Sequence, residues 1–240
     1  MVLSGLGAGL KGTKLSQTYL SPKVPNGTFV TGTKVPKEEK TMIIGITGSS
    51  GAGKSTICEF LENEYKVKVL NADKIARKLS KKGTSYTIEI IKIFGKNIVD
   101  EEGELKRRKL AEIIYSNPKK REELNKITFK YITNEIKTKL KKIDDDTVAI
   151  IDAPLLFESK LNEICNKVIG IIAKREVQID RIVARDDIDY EQAEKRLLAQ
   201  QSNEFYIEHC DDIVENNNLL DFEKQVENIM EKYNIKKVAP

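Results

Sequence analysis

From Met42 onward, short apolar runs alternate with longer stretches in which apolar residues recur every three to four positions. The runs MIIGIT at Met42, VKVL at Val67, DTVAIIDAP at Asp146, NKVIGIIA at Asn166 and DDIVEN at Asp211 predict five strands. The stretches between them predict helices. KSTICEFLENEY puts Ile57, Phe60 and Leu61 on one helical face, and a helix from about Ala72 to Ser80 aligns Ile75, Ala76 and Leu79. Strands that alternate with helices favour a mostly parallel sheet covered on both faces, a three-layer α/β/α fold. Residues 83–143 break the rhythm: they are helical by period, dense in Lys and Glu, and hold no convincing strand. They read as a helical insertion between the second and third strands, well placed to receive a second substrate.

The first 41 residues behave differently. They are rich in Gly, Ser, Thr, Lys and Pro, show no sustained period, and cannot bury enough apolar area to offset their ordering entropy. The expectation is a disordered or accessory extension added to a folded unit, 42–240, with Met42 its natural start. The segment has neither the arginine-rich amphipathic face of a transit peptide nor the continuous apolar core of a secretory signal.

Charge follows the same division. The net charge of +4 lies entirely in residues 1–41, which carry six lysines and two glutamates, and the remainder sums to zero. A neutral body with no Trp and few aromatics is a poor nucleic-acid binder. No apolar stretch approaches the roughly 18 residues of a membrane span. Three widely spaced cysteines, Cys58, Cys165 and Cys210, suggest neither a disulfide framework nor a zinc site, so a reducing cytoplasm is expected. The lone histidine, His209, is expected to be structural, which leaves the chemistry to carboxylates, lysines and arginines.

The turn GSSGAGKS, Gly48 to Ser55, lies between the first strand and the first helix and satisfies G-x-x-x-x-G-K-[ST]. Gly48, Gly51 and Gly53 permit close backbone approach to phosphate oxygens, and the N–H groups from Ser50 through Ala52 to Thr56 join the helix dipole in an anion site. Lys54 supplies a mobile point charge, the Ser55 hydroxyl a ligand for Mg²⁺, and Thr56 a further contact to phosphate. Asp152, delivered to a strand end by VAIID, is the expected acid on the metal side. Asp73, at the end of the second strand and the start of a helix, suits a helix N-cap and also an acid that faces the transferred phosphoryl group and accepts the proton of an attacking hydroxyl, two compatible roles. Arg181 and Arg185 stand four apart on one helix and Arg196 on the next, where guanidinium groups can neutralise phosphoryl oxygens.

Taken together, GITGSSGAGKST, NADKIARKL, GELKRRKLAEIIY, DAPLLFES, QIDRIVARDD, RLLAQQ and DDIVENN resemble the dephospho-CoA kinase family over residues 42–235. The resemblance implies a P-loop kinase core, a helical insertion that binds CoA, and an arginine-bearing lid near 175–200. It implies transfer of phosphate from ATP·Mg²⁺ to the ribose 3′-hydroxyl of dephospho-CoA, the last step of coenzyme A synthesis. Asp73 would be the general base, Lys54 and Arg185 would act on the transferred group, and Arg77 and Arg107 would lie on the acceptor side. The chain departs from the family's usual D-A-D at Asn71-Ala72-Asp73, from L-D-R at Leu105-Lys106-Arg107, and from His-Pro at Thr128-Phe129. The rival readings are a kinase of nucleosides or nucleoside monophosphates and an ATP-driven switch. A GTPase is disfavoured because NKIT at Asn125 fails the N-K-x-D pattern. The expected partners are small molecules only, with the protein a monomer or a small homo-oligomer.

Overall fold

The computed structural model describes residues 41–218 and 221–238. The expectation for the first 41 residues therefore lies, but for Thr41, outside the described residues.

Five strands, β1 (Ile43–Thr47), β2 (Val67–Asn71), β3 (Val148–Asp152), β4 (Lys167–Ile172) and β5 (Asp212–Glu215), form one sheet in the order β2-β3-β1-β4-β5. Every pairing is parallel. The central strands β3, β1 and β4 are apolar but for one end residue each, because helices cover both faces. Their alternate residues sort between two cores. Ile44, Ile46, Ile150, Ile169 and Ile171 pack with α1 (Lys54–Glu64) and α9 (Phe222–Lys232). Ile151 and Val168 face the other way, with α2 (Ala72–Leu79) and the second half of α5 (Pro118–Leu140).

Gly45 sits on this second face of β1. A Cβ there would lie 2.8 Å from Leu156 Cδ2 and 2.9 Å from Cys165 Sγ, so the strand needs glycine to admit those side chains. Gly45→Ala is expected to cost about 1–3 kcal/mol through overpacking, read as a lower denaturant midpoint at unchanged slope.

Residues 83–143 contain α3 (Ser85–Phe94), α4 (Arg107–Ser116) and α5. Tyr86, Ile90, Ile98, Leu110, Leu124 and Ile127 form a separate core there. The 23-residue α5 joins this core to the sheet, with Leu124 and Ile127 in the helical cluster and Ile132 and Ile136 under the sheet. Two of the departures from the family pattern fall in this segment. Lys106, at the N-cap of α4, makes no side-chain capping bond. Thr128 Oγ1 lies 3.0 Å from the Tyr86 hydroxyl, a hydrogen bond inside the helical segment.

Beyond β4, α6 (Arg175–Asp186) and α7 (Tyr190–Leu198) pack on each other through Ile179, Ile182, Ala193 and Leu197. The short α8 (Asn203–His209) leads into β5. His209 stacks on Phe205 at 4.2 Å between ring centroids, and its Nδ1 lies 2.8 Å from the Phe205 carbonyl oxygen. Those contacts fit the structural role expected of it.

Candidate active site

The turn between β1 and α1 is fixed by its neighbours in space. Gly48 has φ of 148°, and a Cβ there would stand 2.2 Å from the Ile171 carbonyl oxygen on β4. Gly53 has φ of 93°, and a Cβ would overlap Asn216 Nδ2 at 1.9 Å. Both positions thus demand glycine for conformation and for space. Asn216, 1% exposed at the end of β5, donates from Nδ2 to the Ala52 carbonyl at 3.0 Å. Buried Gln178 donates to the Ser49 hydroxyl at 2.6 Å. The loop is therefore held from β4, β5 and α6, which leaves its inner surface preorganised for an anion.

That surface opens on a cleft of about 1100 Å³ across the carboxyl ends of the strands. Ser50, Gly51, Gly53, Lys54, Ser55 and Thr56 line it on the loop side. Asp73 and Arg77 from α2, Asp152 from β3, Arg181 and Arg185 from α6, and Arg196 from α7 line it elsewhere. Gly48 and Ala52 are behind this wall: Ala52 is fully buried, and the Gly48 carbonyl accepts from Lys54 Nζ at 2.6 Å. Arg107 is not among the lining residues; it opens α4 and is exposed, because α4 turns Leu110 into the separate helical core.

Several cationic groups of the cleft already donate to loop carbonyls, a hydroxyl or Asp186. Lys54 Nζ also donates to the Ser49 carbonyl at 3.2 Å. Burial pulls its pKa below the ordinary lysine value, while the Asp152 and Asp73 carboxylates pull it back up. Burial likewise raises the pKa of Asp152, against the opposing effects of Lys54 and a hydrogen bond from Asn71. Arg181 donates to the Gly51 carbonyl at 3.1 Å and Arg185 to the Ser50 hydroxyl at 3.1 Å. Asp186 accepts from both Arg185 and Arg196 and so gathers guanidinium groups of α6 and α7 at the cleft. Gln200 Oε1 accepts from the Ser50 N–H at 2.7 Å. A polyphosphate entering the loop would take over several of these donors.

The capping role expected of Asp73 falls to Asn71. The Asn71 side chain is the N-cap of α2, its Oδ1 accepting from the Lys74 N–H at 2.8 Å. Asp73 stands in the first turn, relieved of capping, on the cleft wall. Asn71 pairs with Asp152 in the β2–β3 register and donates its Nδ2 to Asp152 Oδ2. One amide thus ties the helix that carries Asp73 to the buried strand-end acid.

A family model described as dephospho-CoA kinase matches residues 42–235. The chain belongs to the dephospho-CoA kinase family. Its relatives include the dephospho-CoA kinase of Fusobacterium nucleatum, 45% identical over 79% of this chain and 97% of the relative. A dephospho-CoA kinase of Bacillus cereus is 33% identical over 81% and 98% respectively. Among solved structures, a Campylobacter jejuni dephospho-CoA kinase superposes with a TM-score of 0.60 at 29% identity, covering 80% of this chain and 96% of that one. A Thermus thermophilus protein reaches a TM-score of 0.70 at 25% identity, covering 80% and 97%. The α/β P-loop kinase fold read from the sequence is the fold observed. Within this dephospho-CoA kinase family member, Gln178, Gln200, Asn216 and Asn71 are the site residues that sequence reasoning missed or gave no role. The only signal for them was their place in NADKIARKL, QIDRIVARDD, RLLAQQ and DDIVENN, because their partners lie far away in the chain.

Proposed function

We propose that the protein transfers the terminal phosphoryl group of ATP to the ribose 3′-hydroxyl of dephospho-CoA, with Asp73 as the base that accepts the hydroxyl proton. The observation that carries the residue assignment is the meeting of the phosphate loop, Asp73 and three lid arginines on one cleft. The N–H groups of Ser50 to Thr56 and the ammonium of Lys54 grip the β- and γ-phosphates. Lys54, Arg181, Arg185 and Arg196 neutralise charge that spreads over the migrating group. Arg77 faces the cleft beside Asp73 and orients the acceptor. Arg107 is part of acceptor binding only if the helical segment moves, since the described geometry keeps it off the cleft wall.

The donors present fit Mg²⁺. Ser55 and Asp152 line one cleft, and the described residues hold no cluster of three or more His, Cys, Asp or Glu that would make a cage of protein ligands. A hard cation that keeps waters and phosphate oxygens in its shell suits such a sparse set. Bound there, Mg²⁺ would offset phosphate charge; Asn71 fixes the Asp152 carboxylate that would face it.

No helix among the described residues is long and apolar enough to cross a membrane. Unpaired Cys58, Cys165 and Cys210 support a cytoplasmic site of action, and the neutral body supports small molecules as the partners. Small-molecule turnover of this kind needs no more than a monomer or small homo-oligomer. ATP consumption should be measured with dephospho-CoA, with AMP, with uridine and with no acceptor. Turnover is expected with dephospho-CoA alone. Faster turnover of AMP or uridine points to a nucleotide or nucleoside kinase, and turnover without acceptor to an ATPase.

A further inference from the structure

The wall that α8 contributes to the cleft carries a polar atom for which phosphate transfer has no use. Tyr206 is 3% exposed and lines the cleft. Its hydroxyl makes no hydrogen bond to a described residue, yet no buried side-chain oxygen among those residues lacks a partner. The accessible sliver of Tyr206 therefore includes the hydroxyl. Burial, then the Glu158 carboxylate and Cys210, hold the phenol well above its ordinary pKa, so it is a proton donor throughout the neutral range. The ring is fixed edge-on against Phe205 at 5.6 Å, and Phe205 against Phe157 at 5.3 Å.

Glu158 lines the same cleft and accepts from Gln201 Nε2 at 3.4 Å. Half-exposed Leu155 lines it as well. Adjacent residues thus reach in two directions: Gln200 to the phosphate loop, Gln201 to Glu158. The packing separates the two regions further. α1, which carries the loop's lysine, packs in the core of one sheet face through Ile57, Cys58 and Leu61. The helix of Asp73, the segment of Glu158 and the end of α8 pack in the core of the other, through Ala72, Ile75, Leu156, Phe157 and Cys210. Tyr206 and Glu158 therefore belong to the side of Asp73, where the attacking hydroxyl must lie. A carboxylate repels phosphate. A phenol donor, a carboxylate acceptor and an apolar side chain together suit an uncharged nucleoside, with hydroxyl and amine hydrogens for Glu158, a lone pair for Tyr206 and a base face for Leu155.

We propose that Tyr206 is a specificity-determining residue of the acceptor site, its hydroxyl donating a hydrogen bond to the nucleoside half of dephospho-CoA beside Glu158. This rests on reading the protein as a dephospho-CoA kinase. The test is calorimetric titration of the wild type and Tyr206→Phe, each saturated with a non-hydrolysable ATP analogue and Mg²⁺. Dephospho-CoA, AMP as its nucleoside half and 4′-phosphopantetheine as its other half are titrated in turn. Removing one oxygen from a packed ring should leave the fold intact. It should weaken dephospho-CoA and AMP alike by about 3- to 10-fold, the range of one lost hydrogen bond. Binding of 4′-phosphopantetheine and of the ATP analogue should not change, and KM for dephospho-CoA should rise while KM for ATP stays. Glu158→Gln should weaken the same two ligands. Wild-type affinity for dephospho-CoA in Tyr206→Phe overturns the proposal, as does an equal loss for the ATP analogue or for 4′-phosphopantetheine. Failure of the kinase reading itself would be visible earlier, as absence of acceptor-dependent turnover and of dephospho-CoA binding in the wild type.

Discussion

Asp73→Asn is expected to lower kcat for dephospho-CoA phosphorylation by about 10²- to 10⁴-fold, the usual contribution of a positioned general base. KM for ATP should stay within about twofold, since the triphosphate is gripped by backbone and cations rather than by this acid. The substitution isolates chemistry from folding unusually well. Asn71, not Asp73, caps α2, and the buried face of that helix is made by Ala72 and Ile75. An amide at position 73 keeps the size of the side chain and its place on the cleft wall, and loses the negative charge and with it the ability to take a proton. The thermal midpoint should therefore match the wild type while turnover collapses. Activity near that of the wild type would reduce Asp73 to a positioning role. A parallel loss of stability and activity would instead mean that its charge is needed to balance Lys54.

The division between what the chain announces and what only the folded molecule shows follows sequence distance. β1, β3 and β4 are continuous apolar runs because both of their faces are covered, and such runs are visible without any structure. The phosphate loop is equally local, its glycines, lysine and serine lying within eight residues. The rest of the site is built across the chain. Gln178 meets Ser49 over a separation of 129 residues, Arg181 meets Gly51 over 130, and Asn216 meets Ala52 over 164. No period or spacing encodes such pairs.

Asp73 was open in another way, because an acid at a helix start suits both capping and catalysis; the Asn71 side chain, bonded to the Lys74 N–H, shows that capping is not its task. Arg107 shows the converse. Its place in a basic run resembled an acceptor contact, yet the direction of α4 is set by Leu110 and leaves the arginine in solvent. Tyr206 was silent for a simpler reason: in an amphipathic helix a tyrosine reads as one more apolar position, and only the fold reveals a hydroxyl at a cleft wall.

The arginines of α6 and α7 and the loop lysine are not equivalent. Arg185 and Arg196 share Asp186 and stand on helices with a core of their own, so either can partly stand in for the other. Lys54 has no such substitute: it stands at the first position of α1, between the Asp152 and Asp73 carboxylates and the loop carbonyls. Its ammonium is held at 2.6 Å from the Gly48 carbonyl oxygen, poised at the loop rather than free in solvent, so little reorganisation is needed when a phosphate oxygen arrives. Lys54→Ala is expected to reduce kcat by about 10²- to 10³-fold, or roughly 2.7–4 kcal/mol in the barrier, the scale of losing one preorganised charge from a transition state. Lys54→Arg should recover little of this, because a planar fork on a longer stem cannot occupy the point-charge position between two carbonyls and two acids. Far-UV circular dichroism should remain that of the wild type in both variants, since Ile57, Cys58 and Leu61 anchor α1 in the core. If Lys54→Ala instead retained more than about a tenth of wild-type kcat, charge on the transferred group would have to be carried chiefly by the lid. In that case Arg185→Ala should produce the larger loss.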